Sequence, residues 1–355
     1  MAARRSSWRF PVVAFVIWRL VQGVTLVAMG GSALPSLSEW DGEWFARVLR
    51  HGYVPVRGSY QPTAFFPLLP WTTRGVQFVV RSELLAATLV TSVAALGAVA
   101  AVYGITRRWR GEATARVAVV VLLVFPTSLY LWQFYSEGLF VALSAGALLA
   151  QERGRPALAG AVAAGAALTR LPAVLLVAAL LAGHLQRRRR LEQSTLWYGL
   201  GVVGLAPLMV AQALQAGSGL AFASAGRAWG RQPSSPWRPI ATAVGAFVRG
   251  QAAGYLGLPL DLLAAFLLLA AVVLIFRRTW PWSARTLLAT SVAVLLCSGL
   301  LTSMSRYALT AWPAFPVVAD RLVVAPRRVQ VVLVVASLFV SLFVLRAWAD
   351  RTFVA

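Results

Sequence analysis

Runs of about 20 residues with almost no charge recur along this chain, and they constrain its fold more than any other feature. Such a run is long enough to cross a hydrocarbon core about 30 Å thick. Inside lipid the backbone must satisfy its own polar groups, which a helix does within one segment. Eleven apolar segments are predicted, at roughly 11–30, 84–105, 116–132, 137–150, 156–169, 171–186, 195–216, 257–276, 286–302, 307–324 and 329–347. The expected class is therefore an all-α polytopic membrane protein, with the spans of residues 1–355 forming a single integral membrane domain. Some segments are short; 116–132 and 137–150 read equally as half-buried or re-entrant helices. The first run resembles a signal peptide in position, but Arg19 interrupts it and no small-residue cleavage site follows, so it is expected to be retained.

Only 12% of the 355 residues are charged, against about 25% in an average soluble domain. All 33 basic residues are arginine, and the net charge is +22. A nucleic-acid partner is set aside, because the arginines cluster in short loops and set topology. Arg4, Arg5 and Arg9 precede the first span. Arg107, Arg108, Arg110, Arg153, Arg155 and the run Arg187–Arg190 occupy alternate loops, as do Arg277, Arg278, Arg285, Arg321, Arg327 and Arg328. These loops are assigned to the cytoplasm. Two loops too long for simple connectors, about 31–83 and 217–256, then face the other side. The first contains amphipathic stretches suited to interfacial helices. No internal repeat of the kind seen in many transporters stands out.

Eleven carboxylates are available for chemistry. Glu112, Glu152, Glu192 and Asp320 fall in the arginine-rich loops and are expected to pair there. Asp350 lies in the tail, and Asp261 reads as an ordinary charge opening a helix. Glu39, Asp41, Glu43, Glu83 and Glu137 remain on the outer side, three of them around Trp40-Asp41-Gly42-Glu43-Trp44. Arg170, Arg231 and Arg306 break the topological pattern. An arginine at the centre of a span costs about 2.5–3.5 kcal/mol on insertion scales, a cost that an anion in a cavity offsets. Arginine grips phosphate with a planar fork. An acid beside such arginines suits attack by a hydroxyl on a lipid-phosphate-linked substrate. The acid takes the proton and the arginines stabilise the leaving phosphate. No nucleotide-binding motif or metal-ligand spacing is present, so neither a cofactor nor a metal is expected. Blander roles stay open: Asp41 as a helix cap, Glu137 as a helix N-terminal charge, and Arg170 and Arg306 as snorkelling residues at helix boundaries.

The motifs resemble a known family. Trp40-Asp41-Gly42-Glu43-Trp44-Phe45, His51-Gly52-Tyr53 and Ala64-Phe65-Phe66-Pro67 are similar to the first outer loop of PIG-V-like mannosyltransferases, membrane glycosyltransferases of the GT-C fold. Tyr135-Ser136-Glu137, Thr169-Arg170, Trp229-Gly230-Arg231, and Arg306-Tyr307 with Phe315-Pro316 follow in the family's order. The matches run from about residue 40 to 316. Glu39 and Gln61 depart from the pattern.

The resemblance implies inverting, metal-free transfer of mannose or a related hexose from a polyprenyl-phosphate donor. The acceptor is then a hydroxyl on a glycan, glycolipid or protein, at the non-cytoplasmic face of the cell membrane. It implies that Asp41 is the catalytic acid, acting as base. Arg170, Arg306 and Arg231 are expected to hold the donor phosphate, and Trp40, Glu43, Tyr135, Glu137, Trp229 and Tyr307 to line the substrate site. Phe65 and Phe66 are expected to border the lipid. The composition suggests a bacterial member. Two rival readings are a transporter or flippase of lipid-linked sugars and a non-catalytic cell-envelope scaffold.

Overall fold

The computed structural model describes residues 8–251, 255 and 257–354; Arg4 and Arg5 of the first arginine group lie outside them. Among these residues the regular structure is entirely helical. Every predicted apolar segment contains helix, but only five are long and apolar enough to span a bilayer by length and composition. These are α1 (Arg9–Ala28), α4 (Glu83–Arg110), the run Gln193–Ala216, α11 (Gly257–Phe276) and α15 (Arg327–Ala349). Gln193–Ala216 is not uniform: it opens as a 3₁₀ stretch and ends in α9 (Ala206–Ala216). The chain has the architecture of a multi-pass membrane protein.

The remaining segments are shorter. They are α5 (Glu112–Leu123), α6 (Glu137–Glu152), α7 (Pro156–Ala167), α8 (Leu175–Arg188), α12 (Trp282–Leu296), α13 (Met304–Tyr307) and α14 (Ala314–Leu322). The predicted span 116–132 ends as α-helix at Leu123, just before Pro126. The predicted span 307–324 is helical only in part, with Pro313 capping α14. Proline lacks an N–H and restricts the residue before it, so each break falls where the sequence makes a continuous helix costly.

The central layer is α4 against α6, with α7, α5 and α8 around it. Small residues allow this close approach: a methyl on Gly97 would sit 3.4 Å from Ala142, and one on Gly104 would sit 2.9 Å from Leu149. Helices in lipid gain no hydrophobic drive from contact with each other, so packing through small residues replaces it.

The first long loop folds into two further helices, α2 (Asp41–His51) and α3 (Leu68–Val80). In α2, Asp41 and Glu43 sit in the first turn, and Arg50 and His51 in the last, which suits the helix dipole at both ends. Phe45, Val48 and Leu49 form its buried face against Tyr53, Phe65 and Phe66. Arg50 pairs with Glu83 at 2.5 Å and ties α2 to the start of α4. The second long loop carries α10 (Arg238–Val248).

At the opposite end, the loop carboxylates pair with loop arginines as expected. Glu112 meets Arg107 and Arg116, and Glu152 meets Arg187. Glu192 meets Arg190, and Asp320 meets Arg110 and Arg278.

Candidate active site

Three helix breaks converge on one cavity of about 700 Å³. The chain leaves α-helix between α5 and α6, between α7 and α8, and between α12 and α13, with short 3₁₀ turns at Ser128–Leu131 and Leu171–Val174 in the first two breaks. Non-helical backbone at membrane depth is tolerated where it is buried in protein or lines a cavity, and Ser136, Thr169, Ser298, Leu300, Thr302 and Ser303 from these breaks do line it. Both long loops close its walls, with Trp40, Asp41, Glu43 and Trp44 from the first and Phe222, Trp229 and Arg231 from the second.

Arg306 is the hub. It is 4% exposed. Its Nη1 lies 2.8 Å from Asp41 Oδ2 and its Nε lies 3.4 Å from Glu137 Oε1. Its Nη2 donates to the Tyr307 hydroxyl at 2.8 Å. Glu137, 2% exposed, shares the same Oε1 with Arg170 Nη1 at 2.8 Å. Two carboxylates and two arginines thus form one chain of charge, Asp41–Arg306–Glu137–Arg170. A buried ion is costly unless paired and hydrogen-bonded, and here each has an opposite partner.

Arg231 differs. Its Nη1 donates to Ser298 Oγ at 3.0 Å and its Nη2 to the Thr302 carbonyl at 2.9 Å. Its guanidinium lies 4.8 Å from the centre of the Tyr307 ring. Among the described residues no carboxylate pairs with it. It therefore brings an uncompensated positive charge to the cavity wall. The guanidinium of Arg170 lies 4.9 Å from the centre of the same ring, and that of Arg306 4.7 Å.

The five outer carboxylates separate by their partners. Glu83 is taken by Arg50, and Glu39 by Arg351 at 3.3 Å. Glu43 is exposed on the cavity wall, one residue beyond Gly42. Asp41 and Glu137 meet Arg306. The capping role for Asp41 does not hold. The cap position is Trp40, Asp41 is the first helical residue, and its carboxylate turns to Arg306. Nor are Arg170 and Arg306 simple boundary residues, because both are ion-paired inside the protein.

The backbone around Asp41 is tightly determined. Trp40 has φ 53° and ψ −127°, a conformation that non-glycine residues hold only where surroundings impose it. Its ring packs 4.9 Å from Phe353. A methyl on Gly42 would lie 2.8 Å from the Ser36 carbonyl oxygen. Gly138 is tighter still: a methyl there would lie only 2.2 Å from the Leu131 carbonyl oxygen, where the 124–136 break meets the first turn of α6. Gly138→Ala is expected to destabilise the protein by about 1–3 kcal/mol through overpacking, and to displace Glu137 with it. A thermal melt of the purified variant checks this, and an unchanged melting temperature counts against the close packing of that turn.

Most site residues expected from the sequence come together. Trp40, Asp41, Glu43, Glu137, Arg170, Trp229, Arg231, Arg306, Tyr307, Phe65 and Phe66 all line the cavity. Two expectations are corrected. Phe65 and Phe66 do not face outward from the protein toward a surrounding bilayer, being only 7% and 6% exposed. Phe65 stacks on Trp44 at 5.8 Å and meets Trp229 edge-on at 5.7 Å, while Phe66 meets Phe222. Their rings are drawn inward because α2, α3 and the second long loop close over them. Tyr135 does not line the cavity either. It is 2% exposed and lies behind Arg306, whose guanidinium is 5.3 Å from its ring centre.

Among the contributors outside the expected residues, Phe353, Thr127 and Asp261 stand out. Phe353 lines the cavity from the C-terminal tail, and no local motif marks it. Thr127 donates from the first break to the Ser305 carbonyl at 2.8 Å. Asp261 is more than a helix-opening charge: it is fully buried and bonds across to the α12–α13 break. A carboxylate inside an otherwise apolar span is the signal in the sequence that points to it.

Among the described residues, no group of three or more His, Cys, Asp or Glu is placed to hold a metal ion.

Comparison with known proteins bears on the fold. A family model described as Dolichyl-phosphate-mannose-protein mannosyltransferase matches residues 61–212. That is less than half of the chain, and it includes Glu137 and Arg170 but not Asp41, Arg231 or Arg306. No curated protein matches the sequence. ArnT from Cupriavidus metallidurans, solved with undecaprenyl phosphate bound, is similar in structure with a TM-score of 0.57 at 16% identity, over 96% of this chain and 75% of that one. The Archaeoglobus fulgidus oligosaccharyltransferase gives 0.55 at 13% identity, over 96% of this chain and 53% of that one. The archaeal oligosaccharyltransferase AglB from Archaeoglobus fulgidus, in complex with an inhibitory peptide and a dolichol-phosphate, gives 0.52 at 13% identity, over 97% of this chain and 56% of that one. This chain thus spans about half the length of the oligosaccharyltransferase. Taken together, the helix order, the loop helices and these likenesses establish a GT-C-type fold.

Proposed function

We propose that this protein is a membrane glycosyltransferase that moves a hexose from a polyprenyl-phosphate carrier to an acceptor hydroxyl, with inversion. The observation that carries the reading is the convergence of Asp41, Arg306, Glu137, Arg170 and Arg231 on one cavity between broken helices. Asp41 takes the proton from the attacking hydroxyl. Arg306 orients that carboxylate, and Glu137 holds Arg306 from the far side. Arg231, which has no carboxylate partner among the described residues, meets the carrier phosphate together with the exposed edge of Arg170. Charge developing on the leaving phosphate is then met by preorganised guanidinium groups rather than by water. This division of labour differs from the simpler expectation that all three arginines hold phosphate, since Arg306 is engaged by two carboxylates.

The aromatic wall of Trp44, Phe65 and Trp229 offers apolar surface to the carrier or to the sugar's apolar face. The carrier class is supported by ArnT, solved with undecaprenyl phosphate, and AglB, solved with a dolichol-phosphate. Mannose is favoured by the description of the partial family match. The arginine distribution supports an acceptor on the non-cytoplasmic face.

The test is transfer by purified protein in detergent, with polyprenyl-phosphate mannose and its glucose and arabinose counterparts offered separately against a panel of glycan, glycolipid and peptide acceptors. Product formation without a membrane gradient is the expected result. Movement of intact labelled carrier across proteoliposomes, with no glycosidic product, sinks the reading in favour of a flippase. Arg231→Ala is expected to weaken binding of undecaprenyl phosphate by about 1.5–3 kcal/mol, the range for a hydrogen bond to a charged group. Calorimetry on the detergent-solubilised variant measures it, and unchanged affinity removes Arg231 from the phosphate site.

A further inference from the structure

Asp261 lies within α11, is fully buried, and belongs to no step described above. Among the described residues no arginine pairs with it. Instead four donors surround its carboxylate. The Tyr255 hydroxyl donates to Oδ2 at 2.5 Å and the Ser303 N–H to the same oxygen at 2.9 Å. The Ser305 N–H and hydroxyl both donate to Oδ1 at 2.8 Å. A buried carboxylate in a span is expensive and marks a functional position by default.

What it holds is a turn that does not hold itself. Ser303 has φ 67°, in the left-handed region that favours glycine. The helix that follows, α13, has only four residues, far below the length at which a helix persists alone. Asp261 satisfies the N–H groups that open this turn, one on each carboxylate oxygen. On the other side Thr127 donates to the Ser305 carbonyl. Arg306 is the next residue, and its guanidinium reaches Asp41 and Glu137.

We propose that Asp261 is a positioning residue of this site: it clamps the Ser303–Ser305 turn so that Arg306 is presented to Asp41 and Glu137. It touches neither substrate nor reacting atoms, and acts through Arg306. The proposal rests on Asp41 being the acid of the proposed transfer site, but its test does not depend on transfer.

The experiment is site-resolved labelling of carboxylates with a carbodiimide and glycine ethyl ester, read by mass spectrometry on the purified full chain. In the wild type, the ion pair with Arg306 protects Asp41. Arg306→Ala is expected to raise Asp41 labelling on the order of tenfold, the change that one lost interaction of ordinary strength produces. Asp261→Asn is expected to raise it comparably. The double variant is expected to rise no further than Arg306→Ala alone, because both changes remove the same contact. Glu43, two residues away on the same helix, is the internal control and stays unchanged. Equal rises at Asp41 and Glu43 indicate general loosening and overturn the proposal, as does an unchanged Asp41 in Asp261→Asn. Should Asp261→Asn fail to fold, the pair Tyr255→Phe with Ser305→Ala removes two of the four donors and keeps the carboxylate. Its Asp41 labelling must then rise while Glu43 stays constant, and no rise overturns the clamp. A wild-type protein that transfers no sugar refutes the proposed function and leaves this result standing.

Discussion

Asp41→Asn is expected to reduce sugar transfer by about 10²- to 10⁴-fold, the range over which a positioned general base contributes, while the protein remains folded. The two side chains have nearly the same shape. The asparagine oxygen still accepts from Arg306 Nη1, which lies 2.8 Å from Asp41 in the wild type. What is lost is the negative charge and the ability to take a proton. Binding of undecaprenyl phosphate should be preserved, because Arg231 and Arg170 remain. The measurement is initial transfer rate beside a thermal melt and a carrier-binding isotherm on the same preparation. Retained transfer removes Asp41 as base. A collapsed melting temperature assigns it a structural role instead.

Arg306→Ala is expected to be the most damaging substitution in the site, lowering stability by about 3–5 kcal/mol, the usual cost of breaking a buried ion pair by removing one partner. Arg306 is 4% exposed and lies between Asp41 and Glu137. Its removal leaves Glu137 with Arg170 alone and Asp41 with no cation among the described residues. Arg306→Lys keeps the charge but loses the fork that reaches two carboxylates and the Tyr307 hydroxyl, so it should fall between the wild type and alanine in both stability and rate. Thermal melts of the three proteins in one detergent decide this. Equal melting temperatures for wild type and alanine contradict the buried network. Pairing the substitution with Asp41→Asn gives a further check, since neutralising one carboxylate should soften the loss of the arginine.

The contribution of sequence and structure differs residue by residue. Asp41 stands out because acids are scarce in an apolar chain and three of them cluster around one Trp-Asp-Gly-Glu-Trp stretch. Arg170 and Arg306 stand out because charge inside apolar segments is costly. Those signals are local and compositional. Tyr135 and the Phe65-Phe66 pair are legible as motif members, but their orientation is not. Whether an aromatic ring faces lipid or the protein depends on which helices cover it, and lipid and protein interior present similar polarity to a ring. Glu39 and Glu83 share the outer side with Asp41; their partners, Arg351 and Arg50, set them apart from it.

Helical class, the approximate apolar segments and the short list of chemically capable residues follow from one-dimensional facts. The cost of charge and unpaired backbone in lipid acts on each segment separately and is written in its composition. The pairing of Arg306 with Asp41 and Glu137, the clamp formed by Asp261, and the closure of Phe353 over the cavity depend on contacts between residues far apart in the chain. Arg306 is 265 positions from Asp41, and no periodicity or motif links them. Such contacts arise only when helix breaks from three parts of the chain meet, because that meeting is what offsets the cost of each exposed backbone end and each buried charge.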